Sequence, residues 1–464
     1  MKIISTLFTM LITCGFMSAQ GPIHSAKYKG IPAFSKFPIC GSHDLLNEKP
    51  LQGVNEQLIL DVKNLVSHKS SNKSTLYRIP VVFHIVHNET SENLPDSVIF
   101  NQLDILNQSF RRTNSDTINT RLDFLPHVGD TEIEFYFADI DPNGIATNGI
   151  TRTYTDIEHF GGILPYGSGQ NAQISQWVED SLFYNFFRIT DSSLGGSDVW
   201  DSNHYLNIWI GDLRILEPQF SNFEEIVYFA LATPPVNHNN WPDSIIDLTE
   251  IYNQGVLMHY VNVGNNNPNL LPSPYNSFNG ITTTGKLMAH EVGHYLGLRH
   301  IWGDGDCSYD DFIPDTPNSS GDGQWTCNFS SNTCVDTIDG QDLPDMIENY
   351  MDYSSGDCQN SFTLGQGNLM RNSIVNYFPN LADQIVSVSK TPQEEKVFVY
   401  PNPSSDIFIL SQVASQIEVF DLLGREIFEL RNASTINLGL YPEGVYIAKI
   451  KIDGKNYSQR LIKK

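Results

Sequence analysis

The stretch His290–His300, HEVGHYLGLRH, limits what this chain can be more than any other. Its spacing predicts a helix over Leu287–Leu296, with His290 and His294 on one face, about 6 Å apart along the axis. Two imidazoles so placed reach one small cation, because zinc–nitrogen bonds are about 2.0–2.1 Å. Gly297 lacks a Cβ, so it can end the helix and reverse the chain, bringing His300 round as a third ligand. Glu291 stands between the first two ligands without needing to be one. Beside a metal that acidifies water, its carboxylate is a general base. Three nitrogens and an open fourth position describe a catalytic zinc site rather than a structural one. A lone histidine on an apolar helix face is ordinarily a packed core residue. Here the histidines, glutamate and glycine stand together in one extended string with a mechanical meaning, and the reading is a zinc hydrolase.

The chain has 464 residues, room for several domains, and a formal net charge of -25 from 28 basic and 53 acidic side chains. That balance argues against nucleic acid or an anionic membrane as partner and suits an exported protein or one with carboxylate-rich cation sites. Residues 1–19 read as a signal peptide: Lys2, an apolar Ile3–Phe16, then Ser18-Ala19 before Gln20. Leu11–Cys14 faintly resembles a lipoprotein cleavage box, but Thr13 fits it poorly. No other run is long and apolar enough to span a bilayer. Export puts the mature chain where disulfides persist. Beyond Cys14 lie Cys40, far upstream, and Cys307, Cys327, Cys334 and Cys358, clustered after the zinc string. Two bridges and one thiol with another task fit this arithmetic, and spacing alone leaves three pairings open.

Along the chain, Gln20–Thr75 is polar and turn-rich, and Ser67–Ser74 (SHKSSNKS) reads as a flexible, basic linker. A small segment joined to a larger domain by such a linker reads as a pro-segment. Tyr77–His87 reads as a buried strand, Asp96–Arg112 as a helix capped by Asp96 or Ser97, and Ile133–Ala138 and His204–Ile210 as strands. Strands and helices leading into the zinc helix predict an α/β arrangement with a mixed, twisted sheet. Residues 213–285 are loop-rich and support no structural assignment. Gly303–Pro317 (GDGDCSYDDFIPDTP) is dense in carboxylates, either a solvated acidic loop or a Ca²⁺ site. Composition shifts to a linker at Lys390–Lys396. Val397–Lys464 then reads as a small all-β sandwich, with strands at 398–400, 407–410, 417–420, 426–430, 444–452 and 457–461.

The zinc string, with Asn349-Tyr350-Met351-Asp352-Tyr353 as a Met-turn, resembles the metzincin metalloproteases and, within them, the pappalysin family. IPVVFHIVH, LNQSFRRTN, NGITRT and YLNIWIGDL are similar to the catalytic core of that family, so the resemblance covers roughly residues 78–380. It implies His290, His294 and His300 as zinc ligands, Glu291 as base, Met351 packed beneath the metal and Tyr353 as stabiliser of the tetrahedral intermediate. It further implies Cys307–Cys334 and Cys327–Cys358 bridges, and Asp310, Asp311 and Thr316 as calcium-binding positions. Asp357 matches a carboxylate that floors the pocket after the cleaved bond, which implies cleavage before Arg or Lys. Cys40, in PICGS, resembles a cysteine switch that holds the zymogen latent, with Asp44 as a rival ligand. Tyr77-Arg78 then becomes a self-activation bond. The tail from VYPNP to Lys463-Lys464 resembles the C-terminal sorting domain of type IX secretion in Bacteroidetes.

The expected organisation is a signal peptide (1–19), a pro-segment (20–77), a metzincin catalytic domain (78–388), a linker (389–396) and a β-sandwich sorting domain (397–464). The expected function is a secreted or surface-attached zinc endopeptidase acting on proteins or peptides, with zinc as catalytic and calcium as structural cofactor. The competing readings are an exported binding or adhesion protein with a non-catalytic zinc site, and a zinc hydrolase of a non-peptide bond. An intact glutamate beside an open coordination position speaks against the first, because a structural site needs no base.

Overall fold

The computed structural model describes residues 75–163, 185–218, 223–236, 238, 241, 253–271, 283–321, 326–386, 399–400, 402, 404–421, 424–452 and 455–464. The signal peptide, the pro-segment up to residue 74 with Cys40 and Asp44, and the linker 389–396 lie outside the described residues. The chain divides into two compact units, Met1–Ser387 and Val388–Lys464.

In chain order the first unit carries β1 (Thr75–His87), α1 (Asp96–Phe110), β2 (Ile133–Phe137), β3 (Ile150–Tyr154), β4 (Gly162–Ile163), β5 (Leu206–Gly211), β6 (Arg214–Pro218), β7 (Phe223–Val227), β8 (Ala230–Ala232), β9 (Val256–His259), α2 (Leu287–Tyr295), α3 (Leu364–Tyr377) and β10 (Asp383–Val386). β1 is the hub. Within its sequence, TLYRIPVVFHIVH, the stretch Ile79–Val86 is apolar except for His84, as a strand covered on both faces requires. Ile79, Val81, Val82, Phe83, Ile85 and Val86 are all buried. The strand runs parallel to β2, β3 and β5 and antiparallel to β10. β9 continues the sheet parallel to β5, and β8 closes it antiparallel to β9. The result is the expected mixed sheet, of seven strands among the described residues, while β4, β6 and β7 form a separate three-stranded sheet, β6 and β7 falling within the stretch 213–285 read from sequence only as loop-rich.

Most boundaries shift by a residue or two from the sequence reading, and two of the shifts matter. β1 starts at Thr75, and Thr75–Arg78 pairs with Asp383–Val386, so the Tyr77–Arg78 bond lies inside a paired strand. α1 ends at Phe110, and its N-cap is Pro95, without a side-chain cap bond. Asp96 is instead the first helical residue, where it faces the positive end of the helix dipole and pairs with Arg152 at 2.5 Å. The buried stripe of α1, Val98, Ile99, Leu103, Leu106 and Phe110, packs toward β2 and α2.

The second unit is an all-β, antiparallel five-stranded sheet: β11 (Val399–Tyr400), β12 (Ile407–Asp421), β13 (Glu426–Asn437), β14 (Gly444–Ile452) and β15 (Lys455–Lys463). The strands expected at 407–410 and 417–420 are one strand, β12, whose pairing with β13 shifts register between Ile409 and Ala414. That irregularity spans the polar Ser411-Gln412. Phe408, Ile417, Val419, Ile436, Ala448, Ile450 and Leu461 form its core.

Candidate active site

α2 is buried on every side, as a helix crossing a core must be. Its end is built by Gly297. The Gly297 N–H donates to His294 O at 2.8 Å and the Leu298 N–H to Gly293 O at 2.9 Å, the paired bonds of a Schellman motif. Gly297 has φ +97°, and a Cβ there would stand 2.5 Å from His238 Nε2, so both conformation and space demand glycine. The reversal delivers His300. A second glycine matters inside the helix: a Cβ on Gly293 would lie 2.5 Å from Met351 Sδ, so the thioether packs directly against the helix backbone.

The three Nε2 atoms converge. They stand 3.0 Å (His290–His294), 3.1 Å (His294–His300) and 3.3 Å (His290–His300) apart. Among the described residues, this triad is the only group of three metal-ligating side chains with ligand atoms within 4.8 Å of one another. Each Nδ1 faces an acceptor: Tyr350 O at 2.7 Å from His290, Leu298 O at 2.9 Å from His294, and Asp304 Oδ1 at 2.5 Å from His300. Each imidazole therefore donates from Nδ1 and presents a lone pair on Nε2 to the common centre. Burial, with the neighbouring His300 second, lowers the pKa of His290 to about 3, and burial first of all holds His294 well below its ordinary value. Both stay neutral at physiological pH. This donor set fits zinc: three imidazole nitrogens, close enough to share one ion with bonds of about 2.0–2.1 Å.

Glu291 is fully buried on α2 between the two helical ligands. The Tyr353 ring lies over the triad, its centroid 4.8 Å from that of His300 and 5.5 Å from that of His290. Trp302 stacks on His300 at 4.3 Å with the rings 10° apart. The Met-turn is held by a buried amide pair: Asn349 Nδ2 donates to Gln366 Oε1 at 2.9 Å, and Gln366 Nε2 donates to Asn349 Oδ1 at 3.0 Å. Gln366 also completes the capping box of α3 with Thr363. Through Asn349, whose Oδ1 accepts from the Met351 N–H at 2.9 Å, the start of α3 fixes the turn that carries Tyr350 O.

Disulfides join Cys307 to Cys334 and Cys327 to Cys358. Asp357 lies in the following loop and is exposed, so its carboxylate does not sit at a buried end in this structure. The loop is tethered to the residue before α2: Lys286 Nζ donates to Gly356 O and Gln359 O, both at 2.7 Å, and pairs with Asp116 at 2.5 Å. Asp311 is fully buried and its Oδ2 has no hydrogen-bond partner, while its Oδ1 accepts from Thr316 Oγ1 at 2.7 Å. Burial, and next the Asp310 carboxylate, hold Asp311 well above the usual carboxylate range. Asp310 itself is exposed. Sequence reasoning missed Asp304, Lys286, Gln366 and Gly293. The pattern Thr363-x-x-Gln366 ahead of a helix was the available signal for Gln366.

Residues 246–375 match the peptidase family described as "Pregnancy-associated plasma protein-A", and residues 398–464 match the "Secretion system C-terminal sorting domain". A promirolysin mutant of Tannerella forsythia is 32% identical with a TM-score of 0.52, over 73% of this chain and 95% of that one. Mature mirolysin of the same organism, in complex with a cleaved peptide, is 33% identical with a TM-score of 0.48, over 68% of this chain and 100% of that one. An extracellular metalloprotease of Arthroderma benhamiae is 42% identical over 90 residues, 19% of this chain and 31% of the relative, so the chain spans less than a third of that relative. Fold and site define a metalloprotease with a zinc-type histidine triad. The chain belongs to the pappalysin family of the metzincins and carries a secretion-system sorting domain over residues 398–464. It is exported, to the medium or to the cell surface. No described helix is long and apolar enough to cross a membrane.

Proposed function

We propose that this chain is a zinc endopeptidase, made as a latent zymogen, that cuts peptide bonds on the amino side of Arg or Lys. The observation that carries the reading is the convergence of three Nε2 atoms within 3.3 Å of one another, beside a buried glutamate. A bound zinc supplies Lewis acidity at that point, acidifying a water and polarising the scissile carbonyl. Glu291 takes a proton from the attacking water as its oxygen bonds to the carbonyl carbon. As the carbon–nitrogen bond breaks, Glu291 returns that proton to the leaving amine. The Tyr353 hydroxyl donates to the developing oxyanion. Met351 is packing, not a ligand.

Asp357 selects the residue after the cleaved bond by pairing with its guanidinium or ammonium. Being exposed, it draws its selectivity from the substrate side chain that covers it. Latency rests on the pro-segment (20–77), where the Cys40 thiolate, or in its place the Asp44 carboxylate, competes with water for the metal's open position. Release at Tyr77–Arg78 requires the first residues of β1 to leave β10. Asp310, Asp311 and Thr316 take calcium. The buried Asp311 Oδ2, which has no hydrogen-bond partner, supports this, since such an oxygen would serve a hard cation. The sorting domain addresses the chain to type IX secretion machinery, with the catalytic domain (78–388) and linker (389–396) ahead of it.

The test is mass spectrometry of fragments from a mixed peptide library, using activated wild-type protein and Glu291→Gln. Wild type is expected to yield fragments beginning with Arg or Lys, and Glu291→Gln to hold zinc while losing at least about a hundredfold in rate. Full activity in the variant removes Glu291 as the base. Fragments without basic first residues remove the Asp357 assignment.

A further inference from the structure

The three imidazoles of the triad are not held alike. His290 and His294 each donate Nδ1–H to a backbone carbonyl, whereas His300 meets a carboxylate, Asp304 Oδ1, at 2.5 Å. The Asp304 side chain is only 6% exposed and that of His300 is 0% exposed, so this contact is nearly dry. A charge-assisted bond in such surroundings is stronger than its neutral counterparts. The chain accepts strain to make it. Asp304 has φ +63°, left-handed backbone that is strained for a residue with a Cβ, and Gly303 before it has φ +58°. These two left-handed residues turn the carboxylate back onto an imidazole four positions earlier. Gly303 permits the turn because a Cβ there would stand 2.4 Å from the Asp310 backbone nitrogen. Trp302, stacked on the ring of His300, fixes the plane that Asp304 fixes in rotation.

His300 also differs from its partners in origin. The other two ligands stand on α2, one turn apart, and inherit their spacing from the helix. His300 stands beyond the Gly297 reversal, where no helical hydrogen bonds define its position. Strain at a turn, a nearly dry carboxylate and a stacked indole all act on the one ligand that the helix does not position.

We propose that Asp304 is the positioning residue of the metal centre. It holds His300 in the tautomer that presents Nε2, makes that nitrogen a stronger donor, and so sets how tightly the site grips its metal. The inference rests on the zinc reading of the triad, but not on the bond that the enzyme cuts.

The test uses the full chain and three proteins: wild type, Asp304→Asn and Asp304→Gly. Asn keeps size and an acceptor oxygen but loses the charge. Gly loses the carboxylate and relieves the left-handed strain, which offsets part of the cost of losing the bond to His300. Zinc affinity is read by competition with a chromophoric chelator, and the cobalt-loaded absorption spectrum reports the ligand geometry. The expected result is zinc binding weakened by about 10- to 100-fold in Asp304→Gly, less in Asp304→Asn, with an altered cobalt spectrum in Asp304→Gly. Zinc affinity within twofold of wild type in both variants overturns the proposal, because a carboxylate that only braces the loop would not change metal binding. Weakened zinc binding in a chain that cleaves no peptide keeps this inference and removes the protease reading. Peptide cleavage with unchanged zinc affinity in both variants does the reverse.

Discussion

Replacing Gln366 by Met tests how far the fold, rather than the zinc string, builds the site. The side chain is fully buried, and its amide makes three bonds: Oε1 accepts from Asn349 Nδ2 and from the Thr363 N–H, and Nε2 donates to Asn349 Oδ1. Met keeps the length and most of the volume but offers neither a donor nor a comparable acceptor. Asn349 Oδ1 retains the Met351 N–H, so the loss falls on two buried donors, Asn349 Nδ2 and the Thr363 N–H. A buried donor left unpaired costs about 1–3 kcal/mol, so the pair costs about 2–6 kcal/mol, with about 3 kcal/mol expected once Asn349 relaxes. Part of that loss reaches the metal centre, because the loosened turn carries Tyr350 O, the acceptor for His290 Nδ1–H. Urea unfolding at constant pH should show a lower midpoint with an unchanged slope, and zinc competition a weaker site. A stability loss below about 0.5 kcal/mol together with wild-type zinc affinity refutes the reasoning, since surface substitutions behave that way.

Buried His84 makes the first unit acid-sensitive. Burial lowers its pKa to about 4, so between about pH 6.5 and 4 the unfolded chain binds a proton that the folded chain does not. Stability should fall with pH across that window, by about 3 kcal/mol for this group, and His84→Gln should flatten the curve measured by urea unfolding. An unchanged pH slope refutes it. Lys286→Met removes the two bonds to Gly356 O and Gln359 O that hold the Asp357 loop. A hydrogen bond to a charged group is worth about 1.5 kcal/mol, so KM for peptides with Arg or Lys after the cleaved bond should rise roughly tenfold at nearly constant kcat. A purely structural Lys286 would lower thermal stability and leave KM alone.

How much of this was legible in the sequence depended on whether a residue's role was local. β1 announced itself because nearly every residue from Ile79 to Val86 is apolar, and α2 because its histidine spacing is helical. The Gly297 reversal was legible for the same reason. β6–β8 were not, because short strands such as Ala230–Ala232 carry no period of their own and take shape from their neighbours. The strand β12 was misread as two because its polar middle imitates a turn, and only pairing with β13 reveals one strand with a register shift.

At the site the division is sharper. In GDGDCSYDD every aspartate looks alike on paper, and each is equally plausible as a solvated charge. The fold turns two of them inward, with different outcomes: Asp304 finds the imidazole of His300, while Asp311 keeps an oxygen without a partner. The same holds for Lys286, one residue ahead of the zinc helix, whose ammonium serves a loop 70 residues later. The sequence string names what can bind a metal, since imidazole chemistry belongs to the residue. The grip on that metal depends on what each Nδ1 donates to, and those acceptors come from the Met-turn, the helix end and a strained loop. Three acceptors on three segments mean that metal affinity in this chain is a property of its tertiary structure. A short peptide carrying HEVGHYLGLRH would hold only the Leu298 carbonyl of the three, so it should bind zinc far more weakly than the folded protein.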